Sequence, residues 1–312
     1  MEIKLKKHIQ KSSHRNIFPP KYLENISCPL CNSKTHTKKY PEYYPRIVTC
    51  IKCELIYTNP RLKNKYLKEL YTEEYFKNDH SSLLGYSSYL QDRKNIIKTF
   101  DKRLKAIETF LSPGKLLDIG CATGFFMHSA KMRGWKVEGV EISKFAASYA
   151  KKTFGFKIHV GNVMQIDLPA NTYDLITMWD VIEHLTNPIE VIQASKRALK
   201  KNGLLVFSTP NVGSIPAKLT KHKWIGYKLS DEHLTYFSKK TVAQLLEKAG
   251  LSLVSSKHVG KYVNLSLFTD RIGLYNKVAG TILNAAQFVL PKDLSFYINP
   301  FDIMCVYAKK IT

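Results

Sequence analysis

The stretch Lys115-Leu-Leu-Asp-Ile-Gly-Cys-Ala-Thr-Gly-Phe-Phe126 decides the fold. Its apolar run, Leu116-Leu117-Asp118-Ile119, has the length and density of a buried parallel strand. The run breaks at Gly120, crosses small residues to Gly124 and enters a helical pattern through Phe125, Phe126, Ala130 and Met132. Glycines at a strand-to-helix turn let the backbone come close to a ligand, and the helix start offers unpaired N–H groups. A second run, Trp135-Lys-Val-Glu-Gly-Val-Glu141, ends on a carboxylate. Glu141 lies about 20 residues beyond the first glycine, the spacing at which an acidic side chain meets ribose hydroxyls in nucleotide-binding α/β folds.

Two nucleotide-like ligands compete for such a turn. A nicotinamide dinucleotide fingerprint wants glycines at 120, 122 and 125, whereas this chain has Gly120, Ala122 and Phe125. The missing third glycine argues against a helix packed closely over a pyrophosphate. What remains suits a nucleoside carrying an amino-acid tail. Here the sequence resembles the class I S-adenosylmethionine-dependent methyltransferases, whose first motif reads like Leu117 through Gly124.

Flanking segments extend an α/β pattern. Strands are expected at 115–119, 136–141, 157–160, 174–180 and 203–208, alternating with helices at 124–133, 143–154 and 188–200. A helix is expected at 239–249, with Ser238 as N-cap and Gly250 just past its end. Final strands at 251–259 and 302–309 complete a Rossmann-like, doubly wound, seven-stranded sheet. In the family the last strand runs antiparallel. Before the core, a helical stripe spans about 86–111 and stops at Pro113-Gly114; helices of this kind often pack over the cofactor pocket. The core domain is expected over 113–312, with a helical insertion at 261–300. Within the insertion, the apolar segment 274–290 is too short to span a bilayer, but suits a lid or peripheral contact with a lipid surface.

The N-terminal part reads differently. Residues 1–24 are basic and polar and are expected to form a loose arm. Cys28-Pro-Leu-Cys31 and Cys50-Ile-Lys-Cys53, separated by residues 32–49, match the four-cysteine zinc pattern. A closed set of four thiolates leaves no open coordination position, so a structural zinc ribbon is expected over 25–62, followed by a helical linker over 63–112. Met1-Glu-Ile-Lys-Leu-Lys-Lys lacks the apolar core of a secretory signal, which together with the cysteine usage predicts a cytoplasmic protein with reduced thiols. The chain carries 48 Lys and Arg against 25 Asp and Glu, a net charge of +23. That balance fits anionic partners, but the lysines are spread along the whole length, as compositional drift would also spread them.

Resemblance assigns the site. Asp118, Gly120, Cys121, Ala122 and Gly124 are expected beneath the methionine portion of S-adenosylmethionine, with Glu141 and its neighbour Ile142 at the ribose. Asn162 and Val163 stand where the family commonly has Gly-Asp at the adenine; the Asn162 oxygen can accept a hydrogen bond without charge. The run Tyr173-Asp-Leu-Ile-Thr-Met-Trp-Asp180 opens at its carboxyl end, where open α/β sheets bind ligands, so Trp179 and Asp180 face the cofactor. The Glu183-His184 pair is common across the class, either as a helix-start pair that shapes the site or with His184 as a catalytic residue. Ser230-Asp-Glu-His233-Leu-Thr-Tyr-Phe-Ser238, together with the cysteine ribbon, is similar to deoxysugar C-methyltransferases and related bacterial enzymes. That similarity implies Glu232 and His233 as the pair that deprotonates the acceptor, since an imidazole beside a carboxylate suits proton transfer near neutral pH.

The expected activity is methyl transfer to oxygen or carbon of a small-molecule or saccharide-linked acceptor. Two other functions fit parts of the pattern. An RNA methyltransferase would use the basic arm and ribbon to hold phosphates. A non-catalytic protein would retain the adenosyl-binding fold alone. The sequence sets no oligomeric state.

Overall fold

The structure is a computed structural model that describes residues 18–67, 76, 89–229, 232–275 and 294–311. The N-terminal unit has strands β1 (Leu23–Glu24), β2 (His36–Tyr40), β3 (Tyr44–Cys50), β4 (Ile56–Thr58) and β5 (Arg61–Leu62), then the short helix α1 (Asn64–Leu67). Helix α2 (Arg93–Ile107) leads into the core, which alternates β6 (Lys115–Ile119), α3 (Phe125–Met132), β7 (Lys136–Glu141), α4 (Lys144–Phe154), β8 (Lys157–Val160) and β9 (Tyr173–Trp179). There follow α5 (Pro188–Ala198), β10 (Leu199–Pro210), α6 (Ile215–Thr220), β11 (Thr235–Tyr236), α7 (Lys239–Ala249) and β12 (Ser252–His258). The chain closes with β13 (Lys261–Asn264), α8 (Leu265–Tyr275), β14 (Ser295–Ile298) and β15 (Ile303–Lys309).

The main sheet has seven strands in the order β12-β15-β10-β9-β6-β7-β8. The inner ladders among β10, β9, β6, β7 and β8 are parallel, and β15 runs antiparallel between β10 and β12. This is the expected doubly wound sheet with its last strand reversed. Both faces are covered, so inner strands bury alternate residues in different cores. Ile176, Met178, Leu205 and Phe207 pack on one side, while Leu175, Trp179, Leu204 and Val206 pack on the other with Phe100, Leu104 and Phe126.

The expected helix boundaries follow local chemistry. Ser238 caps α7 in a reciprocal box with Thr241, and Gly250 ends that helix at φ +74°. Helix α2 is shorter than the stripe that predicted it, because residues 89–92 form turns and 86–88 lie outside the described residues.

Three expectations are corrected or narrowed. The arm is packed from Phe18 onward: Phe18 and Tyr22 are buried against Leu62, Leu67 and Leu234, and β1 pairs antiparallel with β5. The expectation of a loose arm therefore fails from residue 18 onward, and residues 1–17 lie outside the described residues. The segment 261–300 is not wholly helical, since β13 and β14 pair antiparallel across it; most of the apolar run 274–290 lies outside the described residues. The cysteine ribbon is also not a separate bead. Its sheet has the order β11-β4-β3-β2, so a strand from between α6 and α7 completes it. Cys28, Leu30, Val48, Leu55 and Tyr57 share one core with Phe207, Phe237 and Leu245.

Candidate active site

A cavity of roughly 1150 Å³ opens along the carboxyl edge of the main sheet. Sheet order arranges its walls as β8, β7, β6, β9 and β10. Asp118, Gly120, Cys121 and Ala122 line it at the end of β6, Glu141 and Ile142 at the end of β7, and Asn162 and Val163 after β8. Trp179 and Asp180 follow at β9, and Glu183, His184 and His233 line the same cavity. The expected site residues therefore converge, with two exceptions. Gly124 does not line the cavity; it precedes α3 at φ +83° and its Cα faces Ala150 and Phe156. Glu232 also stands outside the lining, and its carbonyl rather than its carboxylate enters the site, accepting from His184 Nδ1 at 3.0 Å.

The bend after β6 is built by backbone conformation and one carboxylate. Gly120 takes φ +74° and packs under Val181, where a Cβ would meet Cγ2 at 2.5 Å. Ala122 also has positive φ, at +46°, and its N–H donates to Glu141 Oε2 at 2.8 Å. The other oxygen of Glu141 accepts from Ser143 N at 2.8 Å. A carboxylate has about four acceptor directions, so Glu141 can brace this turn and still accept from two hydroxyls. Burial raises the Glu141 pKa against the lowering effect of the Ser143, Ala122 and Ile142 amides.

Asp118 is buried too. Desolvation pushes its pKa up to about 8, with Thr177 opposing through a 2.7 Å hydrogen bond and the Glu141 charge adding to the rise. Carboxyl groups whose pKa burial has raised ionise more readily when a cation arrives beside them, so this floor suits a sulfonium or ammonium group. Asn162 Oδ1 accepts from Met164 N at 3.0 Å, leaving acceptor capacity and the amide donors.

Arg103 on α2 is a site residue that sequence reasoning missed. It is 7% exposed, sits 4.8 Å over the Trp179 ring and reaches Ser208 Oγ at 3.4 Å, while its Nε has no partner. Ser208 in turn donates to Asp180 Oδ1 at 2.6 Å and accepts from Asp180 N at 3.1 Å, which holds Asp180 at φ +53°. No carboxylate of the described residues forms an ion pair with Arg103. The signal was present: a charged residue stands on the buried stripe of α2, one position before Leu104 and three after Phe100.

At the other end of the edge, His233 is buried and its Nδ1 contacts the Gly226 carbonyl at 3.2 Å. The His184 and His233 rings stand edge to face, with centroids 4.8 Å apart. Burial lowers the pKa of both, that of His184 to about 4 and that of His233 well below the usual value, so both rings are neutral at physiological pH.

The ribbon's four cysteines fit one ion. Sγ distances are 3.5 Å for Cys28–Cys53 and 3.5 Å for Cys31–Cys50, and ligand atoms of all four lie within 4.8 Å of one another. Tetrahedral zinc with bonds of about 2.3 Å spaces its sulfurs about 3.8 Å apart. Two matching knuckles present them: Asn32 N donates to Cys28 O and Glu54 N to Cys50 O, with Asn32 and Glu54 both at positive φ.

Residues 89–256 match the family described as Methyltransferase domain. A ubiquinone biosynthesis O-methyltransferase of Photobacterium profundum is 34% identical over 103 residues, covering 31% of this chain and 44% of that protein. One from Histophilus somni is 31% identical over 111 residues, covering 32% of this chain and 47% of its own. The chain thus spans less than half the length of these curated relatives. Among solved structures, a SAM-dependent methyltransferase from Archaeoglobus fulgidus superposes with a TM-score of 0.50 at 18% identity, covering 71% of this chain and 99% of that one, a likeness of fold. Matched across more than half its length, the chain belongs to the class I S-adenosylmethionine-dependent methyltransferases.

Proposed function

We propose that the protein transfers the methyl group of S-adenosylmethionine to a hydroxyl of a small organic acceptor. The observation that carries this reading is one cavity joining the Gly120–Glu141 bend to His184 and His233. In it, Glu141 accepts from the ribose hydroxyls, Asn162 and Val163 flank the adenine, and Asp118 and Asp180 face the cationic part of the methionine. Arg103 supplies the countercharge for the methionine carboxylate. Cys121 and Ile142 contribute walls, and Gly124 acts from beneath by setting the start of α3.

Methyl transfer is an in-line displacement, so most of the catalysis lies in holding donor and acceptor at contact with water excluded. The acceptor end is bounded by Trp224, Gly226 and His233, with Val263 and Leu267 from the insertion. Small-molecule O-methylation is supported by the names of the relatives; a saccharide-linked acceptor remains a variant to be tested alongside. Glu232 fixes the His184 ring through its carbonyl, and the neutral His184 and His233 rings receive the acceptor hydroxyl. A structural zinc on Cys28, Cys31, Cys50 and Cys53 would hold the ribbon that carries this end of the cavity.

The test is calorimetry with S-adenosylmethionine, followed by transfer of labelled methyl to catechols, simple saccharides and tRNA. Saturable heat and label in a hydroxylated small molecule are expected. Label in tRNA alone would replace the small-molecule reading with the nucleic-acid one. No heat at millimolar S-adenosylmethionine would remove the donor assignment.

A further inference from the structure

The cluster at the acceptor end holds more acceptors than methyl transfer alone requires. Glu183, on the turn after β9, is 1% exposed, and neither carboxylate oxygen has a hydrogen-bond partner. The Thr209 hydroxyl lies near enough to favour the ionised carboxyl, yet it meets neither oxygen in hydrogen-bonding geometry. A buried carboxyl group without partners is costly and calls for an explanation.

The two histidines beside it are oriented by main-chain carbonyls. His184 Nδ1 meets Glu232 O at 3.0 Å and His233 Nδ1 meets Gly226 O at 3.2 Å. A carbonyl oxygen can only accept, so in each neutral ring Nδ1 carries the proton and Nε2 presents a lone pair. Ligand atoms of Glu183, His184 and His233 lie within 4.8 Å of one another, and all three residues line the cavity. Two imidazole nitrogens and a carboxyl group thus converge on one point of the cavity wall, and a cation placed there would favour the ionised carboxylate. Imidazoles anchored through the second nitrogen are the usual arrangement at metal centres. Two histidines and one carboxylate leave coordination positions open, and imidazole favours transition-metal ions over magnesium.

We propose that Glu183, His184 and His233 form a divalent transition-metal site whose open positions take the acceptor hydroxyl. This deepens the methyl-transfer reading and rests on it for the role of the ion. The bound hydroxyl loses its proton to solvent water. Its oxygen then bonds the methyl carbon while the carbon–sulfur bond breaks, and the pair stays on sulfur as S-adenosylhomocysteine. The ion changes neither charge nor oxidation state.

The experiment titrates Mn²⁺ into the full chain with zinc already on the four cysteines and follows the free-ion signal by electron paramagnetic resonance. One bound Mn²⁺ per chain is expected, with nitrogen-14 modulation from two imidazoles in the spin echo. Glu183→Gln and His233→Gln should each weaken binding by about 100-fold or more, beyond the ~10–100-fold effect of losing an outer partner. Melting curves and S-adenosylmethionine calorimetry check that the variants fold. Absence of Mn²⁺ binding at millimolar ion, absence of nitrogen modulation, or unchanged binding in both variants would each overturn the site. S-adenosylmethionine heat without ion binding would remove the metal alone, whereas ion binding without that heat would remove the methyl-transfer reading.

Discussion

Thr58, on the last strand of the cysteine ribbon, donates its hydroxyl to the carbonyl of His233 at 3.0 Å. Beside it, Thr58 N donates to Leu234 O, and Leu234 N to Glu183 O. The ribbon, the His233 loop and the turn after β9 are therefore stitched by main-chain groups. Removing a zinc held by the four cysteines should loosen the proposed acceptor end before the proposed donor end. One zinc per chain is expected by elemental analysis. Its removal should lower Tm by more than about 5 °C, each kcal/mol being worth roughly 2–4 °C in domains of this order. Turnover should fall further than S-adenosylmethionine affinity; a parallel loss of both would mean that the ribbon supports the whole fold and not that end.

Glu141 joins two backbone amides to the proposed ribose site. Glu141→Gln keeps the shape and one acceptor but loses charge, and hydrogen bonds to charged groups contribute about 1.5–3 kcal/mol. S-adenosylmethionine affinity should drop by about 10–100-fold in calorimetry. Unaltered affinity would place the ribose elsewhere.

Gly120 combines a left-handed φ with close contact to Val181. In Gly120→Ala the strain costs about 1–2 kcal/mol before the clash is counted. The variant should melt at lower temperature and bind S-adenosylmethionine at least 10-fold more weakly. Gly155, also at positive φ but with open space around its Cα, is the control: Gly155→Ala should lose stability without losing the cofactor.

Arg103 is the buried guanidinium over Trp179. Arg103→Met keeps most of the apolar volume but removes the charge. It should weaken binding of S-adenosylmethionine while sparing an analogue that lacks the carboxylate. Equal losses for both ligands would assign Arg103 to packing.

Glu138 makes stability depend on acid. Burial opposes its ionisation, but Lys115 at 3.1 Å, Lys157 at 3.2 Å and His159 hold its pKa down to about 2 from the ordinary 4.5. A depressed folded pKa stabilises above the unfolded value and loses that contribution as pH falls from about 4.5 towards 2. Glu138→Gln should be less stable at pH 7 and lose less stability than wild type across that window, as urea unfolding would measure.

Much of this was legible in the sequence because it is local. Leu117 through Gly124 specified a buried strand, a left-handed bend and a helix start, and Ser238 and Gly250 marked both ends of α7. The four cysteines announced their own spacing. What was not legible depends on distant pairing. Thr235–Tyr236 is two residues long, and only its partner Ile56–Tyr57 makes it a strand. The β13–β14 ladder joins segments on either side of an apolar helical run, so the intervening pattern concealed it. Arg103 was hidden by the strength of the stripe around it. The histidine that the 230–238 segment suggested as a base is in the cavity, but its environment keeps it neutral and its carbonyl belongs to the ribbon's network.

The β4–β11 pairing also sets a timetable. Thr58 leaves the ribosome 175 residues ahead of His233, so the ribbon emerges with one flank of its sheet uncovered. That flank, Ile56–Thr58, is buried throughout in the finished protein, and until Thr235–Tyr236 arrives it is an apolar edge open to any passing strand. A nascent chain paused near residue 210 would already hold the parallel strands that form the donor half, yet it would have no chamber for the molecule to be modified.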